Sequence, residues 1–274
     1  MSDVSASASA PTRRSTDLLH LAIAAAEAAG RVITGARAAG LQVTAESKGL
    51  GDWVTSVDRD AEAAATSVLR VATPEIPILA EEAGGQRAER LWVVDPLDGT
   101  TNFVRGFPMV GVSVALMEEG EPTVGVVIAP ELGTRWVAQR GLGAFDRAGR
   151  RLDLRGSPAA GVTATGFPFR HPAWHGRYLA VMNAALGEFE DLRRAGAASL
   201  DLAYCADSVW SGFFELGLGL WDFAAGALLV REEGGVVSDW KGDERAVFDS
   251  GDIVAGNPGW HARMLEVIRR VEEE

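Results

Sequence analysis

Hydrophobic residues recur at two different periods along this chain, and the places where the period switches set the expected elements. Leu19, Ile23, Ala26, Gly30 and Ile33 return at spacings of four and three, one buried face of a helix, while His20, Glu27 and Arg31 fall on the opposite side. Ser15 or Thr16 is its expected N-cap, with Asp17 in the first turn. An extended stretch through Val54 leads to a second helix over residues 58–69, rich in Ala. Two short apolar strands follow, Ile76-Pro77-Ile78-Leu79 and Leu91-Trp92-Val93-Val94, and each runs into acid: the first at Glu81 and Glu82, the second at Asp95. From Val110 the pattern becomes a meander, with strands over 110–117, 123–129 and 135–139, joined by turns short enough to require antiparallel pairing. Alternation then returns, with helices over 177–186, 197–209, 221–233 and from Pro258 onward, and strands over 191–194, 212–216 and 236–238.

Elements that succeed one another this way imply a layered mixed α/β (α+β) fold. No internal repeat and no Gly/Pro/Ser-rich linker divides it, so residues 15–274 read as a single domain behind a Ser-Ala tail over 1–14 that has nothing to bury. The chain has 274 residues, 47% hydrophobic and 23% charged, which excludes a disordered polymer or a membrane-spanning bundle. Lys and Arg total 26 against 38 Asp and Glu, a net charge of -12, and a surface of that sign repels phosphate backbones and anionic lipids. No nucleic-acid and no membrane partner is therefore expected. The single cysteine, Cys205, lies in the apolar run Leu200-Asp201-Leu202-Ala203-Tyr204-Cys205-Ala206 and reads as a small buried hydrophobe. Arg13-Arg14 ahead of an apolar stretch has a superficial likeness to a twin-arginine export peptide, but Asp17, His20, Glu27 and Arg31 interrupt it as an amphipathic helix would. The cytoplasm is the expected location.

The acidic strand ends carry the chemistry. Glu81 and Asp95 each close an apolar strand, where ligand sites in sheet-containing folds tend to form. Asp95-Pro96-Leu97-Asp98-Gly99-Thr100-Thr101-Asn102 adds a second carboxylate before a helix start, and Asp222 opens the helix after Trp221. Taken singly, Asp98 and Asp222 have the look of N-caps and Asp95 of a turn residue. Gathered together, unit charges about 4 Å apart repel by about 4 kcal/mol per pair at an effective dielectric near 20, unless protons or a cation intervene. No thiolate is available and none of the four histidines lies in these stretches, so hard oxygen ligands point to Mg²⁺. Gly99-Thr100-Thr101 adds backbone N–H groups at a helix start, which suit a phosphate oxygen. A phosphoryl-transfer site follows.

At these residues the sequence resembles the inositol monophosphatase family, Mg²⁺-dependent, lithium-sensitive phosphatases related to the fructose bisphosphatases. The similarity rests on Lys48-Gly49-Leu50-Gly51-Asp52-Trp53-Val54-Thr55-Ser56-Val57-Asp58, on Ala80-Glu81-Glu82, on the stretch from Asp95 to Phe103, and on Phe213-Phe214-Glu215 with Trp221-Asp222-Phe223-Ala224-Ala225-Gly226. Gly166-Phe167-Pro168-Phe169-Arg170 and the stretch from Arg193 to Tyr204 are most similar to the bacterial inositol-1-monophosphatase branch. The resemblance implies an αβαβα sandwich, a metal-binding half over about 15–150 and a substrate-lining half over about 151–274, and commonly a homodimer. It implies two or three Mg²⁺ per site: a first held by Glu81, Asp95 and the Leu97 carbonyl, a second by Asp95, Asp98 and Asp222, and a weaker third near Asp58 and Asp52. Glu81 would take the proton of an attacking water, and Thr100, paired with Asp58, would orient it. The amides of Gly99 and Thr100 would hold the phosphate, and Glu215 and Ala198 would line the inositol pocket. Against that, strand alternation alone would leave Glu215 facing solvent.

The expected substrate is an inositol monophosphate. Histidinol phosphate, fructose bisphosphate or an adenosine bisphosphate are alternatives on the same carboxylates, and a regulatory protein that kept the fold is the alternative outside enzymes. Two departures touch the substrate side: Ala197 stands where many relatives place Ser or Thr, and Leu218-Gly219-Leu220 where bacterial relatives often carry Lys-Pro. His171 and His175, with Pro172 between them, read as a surface loop, and the eight tryptophans as buried or contact residues rather than base-stacking platforms. Residues 271–274 read as a frayed end.

Overall fold

The structure, a computed structural model, describes residues 13–40, 45–49 and 52–273. The Ser-Ala tail lies outside the described residues, and so does the side chain of Asp52.

Helix α1 (Arg13–Ala38) begins four residues earlier than its apolar period suggests, which puts Ser15 and Thr16 inside the helix and not at its cap. An antiparallel hairpin, β1 (Ala45–Gly49) and β2 (Asp52–Thr55), then feeds α2 (Ser56–Ala72). By length and composition α1 could cross a membrane. Its apolar face is otherwise engaged: Ala22, Ala25, Ala26, Ala29 and Ile33 pack with Ala61, Ala65 and Leu69 of α2 in one buried cluster.

That cluster covers one face of a six-stranded sheet: β3 (Ile78–Ala80), β4 (Arg90–Asp98), β5 (Gly111–Glu118), β6 (Glu121–Ala129), β7 (Thr134–Gln139) and β8 (Gly143–Asp146), in sequence order. Only β3 and β4 are parallel; the meander is antiparallel, as its short turns require. Successive residues of β4 divide between two cores. Trp92 and Val94 join the α1–α2 cluster, while Leu91 and Val93 face the middle of the molecule. Burial on both faces explains why this strand reads as an unbroken apolar run.

Between β4 and β5 lies a short helix, α3 (Thr100–Arg105). The second sheet has the order β10-β9-β11-β13-β12, built from β9 (Thr163–Thr165), β10 (Leu192–Arg193), β11 (Gly212–Glu215), β12 (Val236–Ser238) and β13 (Ile253–Gly256). It is parallel across β10, β9 and β11 and antiparallel beyond. Helices α5 (Ala198–Ala206) and α6 (Leu220–Glu232) fill the space between the sheets. Gly125 lets α6 lie directly on β6, since a Cβ there would stand 2.8 Å from the Ala225 carbonyl oxygen.

On the far face, α4 (His175–Ala185) and α8 (Pro258–Glu273) close the fold, with α7 (Val247–Ser250) before β13. The result is the αβαβα sandwich. Phe213 and Phe214 of β11 point into opposite cores, and each such buried ring contributes roughly 1.5–3 kcal/mol. Trp92, Trp136, Trp240 and Trp260 are buried, and Cys205 is the small apolar residue expected. The C-terminus is not frayed at 271: α8 runs to Glu273, which pairs with Arg269 at 2.6 Å.

Candidate active site

The parallel pairing of β3 with β4 starts the site. Ala80 is in register with Val94, and the Glu81 N–H donates to the Val94 carbonyl at 3.2 Å, so the next residues on the two strands, Glu81 and Asp95, stand side by side. The turn after Glu81 is pinned by buried Glu62 of α2, whose carboxylate accepts from the amides of Glu82 (2.8 Å) and Ala83 (3.0 Å).

Asp95 and Asp98 are three apart, which on a regular strand would send them to opposite faces. Here Asp95 pairs with Ser113 and Asp98 with Gly111, so β4 holds one residue more than β5 in this interval. The bulge falls at Pro96-Leu97, where proline has no N–H to give the ladder, and it returns Asp98 to the side of Asp95. One Asp95 oxygen accepts from the Leu97 N–H at 3.0 Å; the other, Oδ2, is buried with no hydrogen-bond partner.

Gly99 caps α3 in a left-handed conformation (φ 90°), so Asp98 does not take the N-cap role its position suggests. Its Oδ2 instead accepts the N–H (2.7 Å) and the hydroxyl (2.6 Å) of Ser199 in the first turn of α5. Asp222 sits at the third position of α6 and accepts from the Gly219 N–H at 2.6 Å. Asp58 closes a capping box on Thr55 at the start of α2, and its second oxygen accepts the Thr100 hydroxyl at 2.9 Å.

Burial and mutual repulsion lift these acids. Desolvation and the charge of Asp222 push Glu81 up to about 8. Desolvation and Asp98 push Asp222 to about 7. Asp98 rises to about 6, burial being partly offset by Ser199, and Asp95, walled in and facing three other carboxylates, is held well above the ordinary range. Burial also raises Asp58, against the pull of its Thr55 and Thr100 hydrogen bonds.

Among the described residues no three acidic, histidine or cysteine side chains are so placed that together they could hold a metal ion without adjustment. Glu81 and Asp95 contact each other by a hydrogen bond that exists only while one of them carries a proton. The donor set nevertheless fits a hard divalent cation: four clustered carboxylates, an orphaned buried oxygen on Asp95, and no soft ligand among them.

These groups open on a cavity of about 600 Å³ whose wall includes Glu81, Asp95, Leu97, Asp98, Gly99 and Thr100 on one side and Ala198 and Glu215 on the other. Asp58 and Asp222 stand outside this wall. Asp58 reaches it through Thr100, and Asp222 lies close enough to repel Glu81 and Asp95. Glu215 does not face solvent as alternation alone would allow. Its carboxylate occupies the space above Gly166, where a Cβ would come within 2.0 Å of Oε2, and burial lifts it to about 8 despite Arg194 and Arg170 nearby.

The sequence reading named no role for the outer part of this cavity. Arg194 stacks over the rings of Phe167 (5.8 Å) and Phe169 (5.5 Å). His171 stacks on Trp174 at 4.0 Å and lines the mouth; His171 and His175 lie at the surface as expected, but on either side of a 3₁₀ turn over Pro172–Trp174 that leads into α4. Ser199 and Asn102 were also missed. The Asn102 amide donates to the carbonyls of Met109 (2.7 Å) and Ala195 (3.0 Å), joining the two halves of the chain behind Gly99. The signal for Ser199, Phe167 and Phe169 was their place inside the stretches that carry the resemblance.

Comparison with known proteins covers nearly all of the chain. Residues 15–273 match the inositol monophosphatase family. Nus factor SuhB of Escherichia coli K12 is 42% identical over 259 residues, covering 92% of this chain and 96% of that protein. The crystal structure of the extragenic suppressor protein suhB from Bartonella henselae superposes with a TM-score of 0.86 at 36% identity, covering 93% of this chain and 99% of its own. The Thermotoga maritima IMPase does so with 0.82 at 32%, covering 94% and 98%. The name Nus factor is not that of a phosphatase, which sits against limiting the partners to small molecules with no nucleic acid among them. On a match over residues 15–273, from the first helix through the last, the chain belongs to the inositol monophosphatase family.

Proposed function

We propose that this chain is a Mg²⁺-dependent phosphomonoesterase that hydrolyses inositol monophosphates to inositol and phosphate. The observation that carries the reading is the buried Asp95 Oδ2, without a donor, at the centre of carboxylates that open on a cavity with a further carboxylate, Glu215, across it. Glu81, Asp95 and the Leu97 carbonyl would hold a first ion, and Asp95, Asp98 and Asp222 a second, with a weaker third near Asp58. Bound there, Mg²⁺ would neutralise the acids, lower the pKa of a water and polarise the phosphoryl oxygens.

The chain's own groups do the rest. Glu81, ionised once a cation offsets the neighbouring carboxylates that otherwise hold its proton on, accepts the proton of the attacking water. The Thr100 hydrogen is committed to Asp58, so the hydroxyl oxygen is left to accept from that water and orient it. The Gly99 and Thr100 amides donate to the phosphate. Glu215 accepts from polyol hydroxyls beside Ala198. A cytoplasmic homodimer, inhibited by lithium, built as one domain over residues 15–274, completes the proposal.

Phosphate release from a panel of esters with titrated Mg²⁺ tests it. The highest kcat/KM is expected for inositol monophosphates; a large preference for histidinol phosphate, fructose bisphosphate or an adenosine bisphosphate moves the substrate within the fold. The name carried by the SuhB relatives favours a second reading, a binding or regulatory protein. Absence of Mg²⁺-dependent release from every ester would favour it over the first.

A further inference from the structure

Helix α3 is six residues long, too short to hold itself in water, yet Gly99 at its head and Thr100 in its first turn are the groups assigned above to phosphate and water. Its position is therefore imposed from outside. Asp58 holds Thr100 at one end. At the other end stands Arg37, in the last turn of α1, which sequence periodicity gives no reason to single out.

The Arg37 Nη1 donates to the Phe103 carbonyl at 2.9 Å, and its guanidinium lies over the Phe103 ring, 4.5 Å from the centroid. A cation at these last carbonyls complements the helix dipole. The same guanidinium grips Glu131, in the turn between β6 and β7, through Nε (2.9 Å) and Nη2 (2.6 Å). Phe103 in turn donates its N–H to the Gly99 carbonyl at 3.0 Å, so a single residue links Arg37 to the head of the helix. Gly99 has little room to adjust: a Cβ there would stand 2.9 Å from the Met109 oxygen and 3.2 Å from that of Gly196.

We propose that Arg37, braced by Glu131, is a positioning residue that sets the placement of α3 and thereby the aim of the Gly99 and Thr100 groups. The kinetic consequence rests on the phosphatase reading; the structural one does not.

Arg37→Met keeps the apolar stem and removes the charge and donors. Amides over residues 100–106 are expected to exchange about tenfold faster in this variant while those of β4–β6 stay protected. In turnover, kcat falls about tenfold with KM for the ester within about twofold, and Arg37→Lys recovers part of the loss. Combined with Thr100→Ala, the two losses are expected to be clearly less than multiplicative, because the Thr100 hydroxyl is one of the groups that Arg37 aims. Wild-type exchange over 100–106, or a fully multiplicative loss in the double variant, overturns the proposal. If Arg37→Met folds poorly, Glu131→Gln, which leaves the bond to Phe103 but weakens the brace, is expected to show the same pattern at smaller amplitude, and an unchanged pattern there counts against it. A wild-type protein that turns over no ester ends the phosphatase reading, and the exchange comparison then decides the positioning role alone.

Discussion

A single carboxylate oxygen of Asp98 accepts both the N–H and the hydroxyl of Ser199, a residue 101 positions further along the chain. This contact fastens the acidic end of β4 to the first turn of α5, and so joins the two parts of the chain that wall the cavity. It needs Gly111 opposite: a Cβ there would stand 2.4 Å from the Ser199 oxygen.

Ser199→Ala removes the hydroxyl donor and keeps the amide. Asp98 should then rise further above about 6, and the Mg²⁺ concentration for half-maximal activity should increase about tenfold, as for partners that orient a ligating group. An unchanged Mg²⁺ activation curve would show that Ser199 only packs.

Gly166 makes room for Glu215, so substitutions at the two positions should act on one function. Gly166→Ala forces the carboxylate aside and is expected to raise KM for inositol monophosphates at least about tenfold. Glu215→Gln should raise it similarly while leaving hydrolysis of a simple aryl phosphate within about threefold. Equal losses on both esters from Glu215→Gln would contradict a role in polyol selection.

Without metal, the raised acids tie stability to pH. Glu81, Asp98 and Asp222 titrate higher folded than unfolded, so the native state holds extra protons: their contribution is full below about pH 4 and is lost as pH rises through about 6 for Asp98, about 7 for Asp222 and about 8 for Glu81. All three side chains are partly exposed, which tempers the size of the effect. The EDTA-treated protein should therefore lose Tm between pH 5 and pH 8.5, and the Tm gained on adding Mg²⁺ should grow over that range. A Mg²⁺ increment independent of pH would argue against protons and metal competing for these oxygens.

Asp95→Asn removes the most crowded charge. Turnover should fall at least about a hundredfold, since both ions lose a shared ligand. Near-normal rates in purified variant protein would refute the assignment of Asp95.

Much of this was legible along the chain, and for identifiable reasons. Strands β4, β5 and β6 are buried on both faces and read as apolar runs; α1 and α2 each bury one stripe and show the helical period. Glu81 and Asp95 stood out because they end apolar strands, and Asp98 and Asp222 because they stand at helix starts. Strands β8, β9 and β13, each of three or four residues, were not read from the sequence. The bulge at Pro96-Leu97, the grip of Ser199 on Asp98 and the hold of Arg37 on α3 depend on which distant residues the fold brings together, and no local pattern encodes that. Glu215 shows the limit from the other side: alternation alone would leave it in solvent, while the missing side chain of Gly166, in another strand's loop, lets it line the cavity.

Anomalous diffraction from crystals soaked in Mn²⁺ tests the central claim most directly. Two peaks are expected, sharing Asp95, one toward Glu81 and the Leu97 carbonyl and the other toward Asp98 and Asp222. No density among these oxygens at millimolar Mn²⁺ and pH 8 would contradict it.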